Sequence, residues 1–460
     1  NERYTSLVKP ASKQQKMTGW GRWPVADGAA FRPEKRNAVA DILREGEQSS
    51  YIARGLGRSY GDTATNGGGG HIVMTRLNRM LSFDAGAGVL ECEAGTSLAE
   101  IIDVLLPHGW FLPTTPGTKF VTVGGAIAHD VHGKNHHSAG TFGNAVESLV
   151  LLTPLGKTLT CSRETNADVF WATLGGAGLT GVILSATFRM RSVESAYFVE
   201  DTIKTKNIGE LLDALERTRD DYPYSVSWVD CMARGASLGR GILMNGNHAR
   251  REELPSNSVD PFRIRKKIEV NVPLDLPNFV FNSLTSHLGN TVVYTAGKTQ
   301  KGHLVDWDKY FYPLDAIHNW NRGYGKRGFT QYQFVVPLDQ RDGLVKILEK
   351  VVREQKCYFA VLKIMGPQNL GMLSFPFEGF TLTMDMPVHA GLVPFLHELD
   401  DMLLEFSGRV YLAKDATLRR ETFELMYPRV NEFKTVRAKL DPEGLLSSNQ
   451  ARRLGLAEIG

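Results

Sequence analysis

Apolar residues recur at helical spacing in a handful of stretches. In 33–45 the repeat is Val39, Ile42 and Leu43, and in 97–106 it is Leu98, Ile101, Ile102 and Leu105. The second of these opens on Thr96 or Ser97 as N-cap, with Glu100 placed as the capping-box partner, and Pro107 ends it. Further helices are predicted over a short stretch from Asp168, over 208–218, 344–354 and 392–406. Short β-branched and aromatic runs predict strands at 51–54, 71–75, 89–93 and 182–191, and a hairpin of 146–153 with 157–161 across Pro154-Leu-Gly156. Beyond Ser195 the strands become aromatic: 224–228, 331–336, 359–363 and 380–385.

Strands and helices interleave in the first part without a regular βαβ rhythm. This points to an α+β domain over 1–194 and a second domain over 195–407 on a mostly antiparallel sheet. The residues up to about Gln15 read as a frayed polar arm. Between Arg250 and Lys301 the pattern breaks down. A basic cluster (Arg263, Arg265, Lys266, Lys267) precedes an apolar, proline-broken run from Pro273 to Leu288. That segment is either a long surface excursion or a flexible flap that touches a lipid surface or a greasy substrate, since basic residues beside apolar ones suit an anionic interface.

One stretch, 115–143, has no amphipathic period at all. It is rich in Gly, small residues and His, and it is too long for a simple connector. Thr122-Val-Gly-Gly125 lets backbone lie close against a flat or phosphorylated group. The histidines His129, His132, His136 and His137 crowd the same stretch. The adjacent pair His136 and His137 is poorly disposed to converge on one ion and no carboxylate cluster accompanies it, so no metal site is expected.

Composition narrows the class. The 460 residues are 42% hydrophobic and 22% charged, ordinary for a globular enzyme. A net charge of +3 gives no basis for nucleic-acid binding. Cys92, Cys161, Cys231 and Cys357 are too far apart for a zinc site. No apolar run is long enough to cross a membrane, and the first residues carry no signal-peptide core, so a soluble or peripheral protein is expected; export stays open because the numbering can begin after a removed segment.

Gly55-Leu-Gly-Arg-Ser-Tyr-Gly-Asp62 follows a strand, and its successive N–H groups can form an anion nest. Tyr60 stands where a dinucleotide fingerprint needs its third glycine, and the closing Lys of a Walker loop is missing. Together with 115–143 and Gly175-Gly-Ala-Gly-Leu-Thr-Gly181, the loop can wrap an extended cofactor.

These motifs, with Pro-Gly-Thr118, Thr-Val-Gly-Gly-Ala-Ile-Ala128, His-Gly-Lys-Asn-His-His-Ser-Ala-Gly140, Phe170-Trp-Ala-Thr, Gln331-Tyr-Gln-Phe and Met426-Tyr-Pro-Arg-Val, resemble the vanillyl-alcohol-oxidase type FAD flavoproteins. The resemblance covers nearly the whole chain and is greatest to members that oxidise a polyprenylphosphoryl-ribose. It implies a two-domain α+β FAD-binding fold in which 408–460 returns to the first domain.

It also implies site residues. FAD would be lined by Ala53, Arg54, Gly55, Leu56, Gly57, Arg58, Ser59, Tyr60, Gly61, Asp62, Thr63, Gly117, Thr122, Val123, Gly124, Gly125, His129, Asp130, Val131, His132, Ile183 and Tyr411. Many relatives attach the flavin through a His in the first glycine loop. Ser59-Tyr60-Gly61 offers none, so FAD is expected to be non-covalent. Tyr60, Gln331, Gln333, Lys363 and Thr383 would line the substrate pocket, where amide and ammonium groups suit sugar hydroxyls and a phosphate. Thr383 stands where the family carries a Cys that reacts with covalent inhibitors.

Oxidising a secondary alcohol needs a hydride acceptor close to the carbinol carbon and a base for the hydroxyl proton. His132 and Lys414 are the candidates. Lys414 can act as base only if desolvation lowers its pKa; charged, it would instead stabilise the anionic reduced flavin. The resemblance implies a lipid-linked ribose substrate, a partner keto-reductase, a quinone or other electron acceptor, and peripheral membrane contact, with the cytoplasmic and periplasmic faces both open and the family pointing to the periplasm. A soluble sugar-alcohol or aldonolactone oxidase, or a non-catalytic flavin-binding or membrane-associated scaffold, are the alternatives.

Overall fold

The computed structural model describes residues 9–457 except 266 and 278–282. Lys266 and the middle of the Pro273–Leu288 run therefore lie outside the described residues. The fold is α+β and rests on three larger sheets.

The first has four strands in the order Ser12–Thr18, Val25–Phe31, Gly70–Val73, Tyr51–Arg54. The expected polar arm is thus partly a strand. Only Met17 of Ser12–Thr18 is buried, but every residue of it pairs with Val25–Phe31, so the ladder rather than side-chain burial holds it. The second sheet runs Met80–Asp84, Val89–Glu93, Val182–Arg189, Val146–Leu152, Thr158–Ser162. It contains the predicted hairpin. Helix Leu98–Leu105 begins at the predicted capping box: Ser97 Oγ accepts from the Glu100 N–H at 3.1 Å, and Glu100 Oε2 from the Ser97 N–H at 2.8 Å.

The third sheet has eight strands in the order Gln300–Asp306, Tyr197–Thr205, Gly241–His248, Tyr224–Val229, Ala360–Met365, Gly379–Pro387, Phe329–Pro337, Arg409–Val410. All its pairings are antiparallel. Helices Ile208–Thr218, Arg341–Glu354 and Leu392–Glu405 bury Leu211, Leu215, Leu344, Ile347, Leu348, Leu396 and Leu399 in one core cluster with this sheet. Periodicity missed Gln300–Asp306, an edge strand that takes the end of the supposed flap into the sheet.

The stretch 115–143 is not a plain loop. It holds the short helices Val123–Ala128, His136–Ala139 and Phe142–Ala145. Each is too short to show an amphipathic period; the first is capped by Thr122 Oγ1, which accepts from the Gly125 N–H at 3.2 Å. Within 250–301, helix Ser283–Ala296 is tied to the third sheet. Asn290 Nδ2 donates to Asp230 Oδ1 at 3.1 Å and Tyr294 OH to the Thr205 carbonyl at 3.1 Å. Lys267 is not a free surface cation, because it is paired with Asp308 at 3.0 Å.

The chain's end packs back on the first sheet. The Tyr51 N–H donates to Leu445 O at 2.8 Å and the Ser447 N–H to Tyr51 O at 2.9 Å. Arg453 bridges the buried carboxylates of Asp62 and Asp415 at 2.7 and 3.0 Å. These contacts bring the segment that carries Tyr411 and Lys414 against the first glycine loop.

Candidate active site

A cavity of about 640 Å³ lies between the glycine loops and the face of the eight-stranded sheet. Of the expected cofactor residues, Ala53, Arg54, Gly55, Leu56, Gly57, Arg58, Ser59, Tyr60, Thr63, Gly117, Thr122, Gly124, Gly125, His129, Val131, His132, Ile183 and Tyr411 line it. So do Gln331, Gln333, Lys363, Thr383 and Lys414.

Four expected contacts do not line the cavity. Val123 is fully buried in the main core. The Asp130 carboxylate accepts from the Gly143 N–H at 3.0 Å, from Asn369 Nδ2 at 2.7 Å and from Ser374 Oγ, so it braces the loop from behind. Asp62 faces Arg453. A Cβ on Gly61 would stand 1.8 Å from the Asp415 carbonyl oxygen, which makes Gly61 the contact point between two wall segments. Spacing alone cannot separate such backing residues from lining ones.

The cradle suits a flat, phosphorylated cofactor. A Cβ on Gly55 would lie 2.3 Å from Thr122 Oγ1, so the two loops meet only because that position lacks a side chain. A Cβ on Gly117 would meet nothing within 4 Å; it would project into open space beside the cavity it lines. Among the described residues, the main-chain N–H groups of Leu56, Gly57, Arg58 and Ser59 donate to no protein acceptor, a run of free donors of the kind that binds phosphate oxygens. Arg58 Nε is likewise buried without a partner. FAD fits this donor set: its pyrophosphate can take the free N–H groups and its ring system the small-residue walls.

Opposite the cradle, strand Phe329–Pro337 presents Gln331 and Gln333 on one face, two residues apart. Gln333 Nε2 donates to Thr381 Oγ1 at 3.1 Å and meets His132 Nε2 at 2.9 Å. The Thr381 hydroxyl itself donates to the Phe334 carbonyl at 2.8 Å, so it accepts from Gln333 and fixes the amide orientation. His132 Nε2 is then an acceptor and its proton sits on Nδ1, which has no protein partner. Burial, with Lys363, His136 and Lys414 nearby, pushes His132 far below the ordinary 6.5, so the ring is neutral. It packs against the rings of Phe375 and Tyr411, at 5.5 and 5.1 Å, which stack on each other at 4.6 Å.

Gln331 links two titratable groups. Lys414 Nζ donates to Gln331 Oε1, and Gln331 Nε2 donates to the buried Asp385 Oδ1 at 2.6 Å. Lys414 Nζ also lies over the Tyr60 ring, 3.9 Å from its centroid. Lys414 is therefore not paired with its neighbour Asp415, which serves Arg453. Burial drives the Lys414 pKa down, Asp385 holds it up and Lys363 lowers it further. Burial drives the Asp385 pKa up. Asp385 lies in the strand whose Thr383 was expected in the pocket, but nothing in its spacing marked it as Gln331's partner.

The other histidines make structural contacts. His129 Nε2 meets Thr63 Oγ1 at 3.2 Å, His136 Nδ1 accepts from the Gly366 N–H at 2.9 Å, and His137 Nε2 meets the Tyr222 carbonyl at 2.7 Å. Sequence reasoning did not assign roles to Lys134 and Trp228, which also line the cavity, although both stood inside segments it had singled out.

A cofactor cradle facing buried amide, imidazole and ammonium groups defines an FAD-dependent oxidoreductase. In agreement, residues 28–162 match the FAD binding domain family and residues 380–454 the D-arabinono-1,4-lactone oxidase family. Decaprenylphosphoryl-β-D-ribose oxidase from Mycolicibacterium smegmatis is 41% identical over 96% of this chain and 98% of its own length. An uncharacterised Streptomyces coelicolor protein is 34% identical over 78% of this chain and 100% of its own. Bovine (Bos taurus) L-gulonolactone oxidase is 31% identical over 44% of this chain and 46% of its own. The chain belongs to the decaprenylphosphoryl-β-D-ribose oxidase family.

Proposed function

We propose that the enzyme oxidises the 2′-hydroxyl of a polyprenylphosphoryl-β-D-ribose to the ketone, the first half of an epimerisation to the arabinose donor for cell-wall arabinan. Bound FAD supplies the hydride acceptor. Lys414, as the neutral amine, takes the hydroxyl proton, and Gln331 with Asp385 holds it in place. His132 stays neutral and holds the Gln333 amide through Nε2, and Gln331 and Gln333 orient the sugar. The observation that carries this reading is the convergence of Lys414, Gln331, Gln333 and neutral His132 on one cavity wall opposite the glycine cradle. The full-length similarity to the M. smegmatis oxidase supports the substrate class.

In the same reading, 1–194 with 408–460 forms the FAD domain and 195–407 the substrate domain. FAD is held without a covalent bond, the keto sugar passes to a partner reductase, and electrons leave to a quinone or another acceptor. The exposed apolar side chains of Val259, Ile268, Leu274, Leu288 and Val292 support contact with a membrane surface. Among the described residues, no helix is long and apolar enough to cross a membrane. Anaerobic mixing with a lipid-linked ribose tests the reaction: the flavin should bleach and a keto sugar should form. Absence of bleaching with every ribosyl lipid, alongside bleaching by a free aldonolactone, would replace this reading with that of a lactone oxidase.

A further inference from the structure

The sheet face that closes the cavity changes chemistry along one direction. Register pairs set Gln333 opposite Thr383, Thr383 opposite Val361, Val361 opposite Trp228, and Trp228 opposite Ile242. Directly opposed residues share a face, so these side chains form one row across five strands, and all of them line the cavity. A second row lies beside it. Lys363 is two residues beyond Val361, Val226 two before Trp228, and Val226 pairs with Met244; these also line the cavity. The face is therefore amide and hydroxyl over Phe329–Pro337 and Gly379–Pro387, cationic at Lys363, and hydrocarbon over Tyr224–Val229 and Gly241–His248. With strands about 4.8 Å apart, the hydrocarbon part extends about 10 Å past the Lys363 strand.

The far end of this track is roofed and open. Val293 of helix Ser283–Ala296 lines the cavity there and is 46% exposed. A Cβ on Gly297, just past that helix, would meet Ile242 Cδ1 at 2.2 Å, so the helix end rests on the track.

At the junction stand two lysines that make no ion pair among the described residues, although the Glu200 carboxylate, which also lines the cavity, acts on Lys134 and holds its pKa up. Among the described residues the Lys363 side chain makes no hydrogen bond or ion pair, while its main chain lies in the sheet ladder opposite Thr381. Lys134 Nζ reaches the Tyr310 carbonyl and the faces of the Tyr310 and Phe311 rings, 4.3 and 5.8 Å from their centroids. The Lys134 carbonyl accepts from the Ser225 N–H at 2.8 Å, which sets it beside the start of the hydrocarbon strands. Burial lowers Lys363 to about 8; burial and then Lys363 lower Lys134 to about 7 against the opposing pull of Glu200, a cost that a bound anion would offset further.

We infer that this face reads an isoprenoid phosphate by its chemical order. Gln331, Gln333 and Thr383 take the sugar hydroxyls, Lys363 and Lys134 the phosphate, and Trp228, Ile242 and Met244 the first isoprene units. The inference rests on the proposed reaction for its substrate but not for its test. β-D-Ribosyl phosphodiesters carrying methyl, ten-carbon or twenty-carbon prenyl groups are compared by anaerobic flavin reduction. KM falls on the order of a hundredfold from methyl to ten carbons, then changes less than about threefold, because the track is full. In Ile242→Asn and Met244→Gln, checked for folding by their flavin spectra, the ten-carbon gain shrinks below about tenfold. Lys363→Met raises KM at every chain length on the order of tenfold and leaves the length ratio intact. A chain-length gain in both track variants equal to wild type would overturn the inference. Calorimetric titration of the holoenzyme with geranyl phosphate needs no turnover. Binding that Ile242→Asn weakens supports the site; no binding, or binding the variant leaves unchanged, rejects it. Bleaching by none of the ribosyl compounds together with tight geranyl phosphate binding would reject the reaction and keep the site.

Discussion

Replacing Lys414 by Met is the sharpest test of the chemistry, because Met keeps an unbranched stem of similar reach and removes the amine. Lys414 reaches Gln331 Oε1, and Gln331 reaches Asp385 at 2.6 Å, so the substitution removes one end of a three-member chain. A positioned base contributes about 10²–10⁴ in rate. At 1.36 kcal/mol per factor of ten, this corresponds to about 3–5 kcal/mol of barrier. Gln331 Oε1 loses a donor, at a cost of about 1–3 kcal/mol, and the low end applies because the cavity admits water. Anaerobic stopped-flow flavin reduction reads the loss directly. The pH profile separates a base from a structural lysine. The active form is the amine, and burial disfavours the ammonium, so the rate should fall as pH drops through a pKa well below 10.5 and level off above it. Asp385 holds that pKa up, so Asp385→Asn should move the acid limb to lower pH. A Lys414→Met enzyme within threefold of wild type, or one that keeps the same acid limb, would refute the reasoning.

Other outcomes follow from single contacts. Gly61→Ala should lower bound flavin per protein, measured by visible absorbance, because its Cβ would stand 1.8 Å from the Asp415 carbonyl and part the two wall segments. Arg453→Met should cost about 3–5 kcal/mol in denaturant unfolding, since it strands the buried carboxylates of Asp62 and Asp415, which the guanidinium now bridges. The flavin should leave with the supernatant on acid precipitation; colour retained in the pellet would contradict a non-covalent cofactor. Thiol reagents should leave the native enzyme active. Thr383 offers no thiol, the free cysteines are buried, and burial pushes the Cys92 thiol up to about 12 and the Cys161 thiol up to about 11. A mass adduct at Thr383 would refute that.

The elements that periodicity found are those in which one face is buried. Leu98, Ile101, Ile102 and Leu105 repeat at helical spacing because they meet the core, and the Ser97–Glu100 box is local chemistry readable in four residues. Ser12–Thr18 was illegible because its partner strand, not its own side chains, makes it a strand. Gln300–Asp306 is an edge strand with mostly exposed positions, so it carries no alternation.

The sequence by itself determined the glycine loops, the cradle composition and the face shared by Gln331 and Gln333, because these depend on neighbours a few residues apart. Only the tertiary structure decided which groups meet. Gln331 touches Lys414 across 83 positions and His132 meets Gln333 across 201. It also decided that Asp62, Asp130 and Gly61 brace the wall rather than line it. Burial depth and cross-strand register arise from the whole packed chain, and they set both the charge state of Lys414 and the order of chemistry along the sheet face.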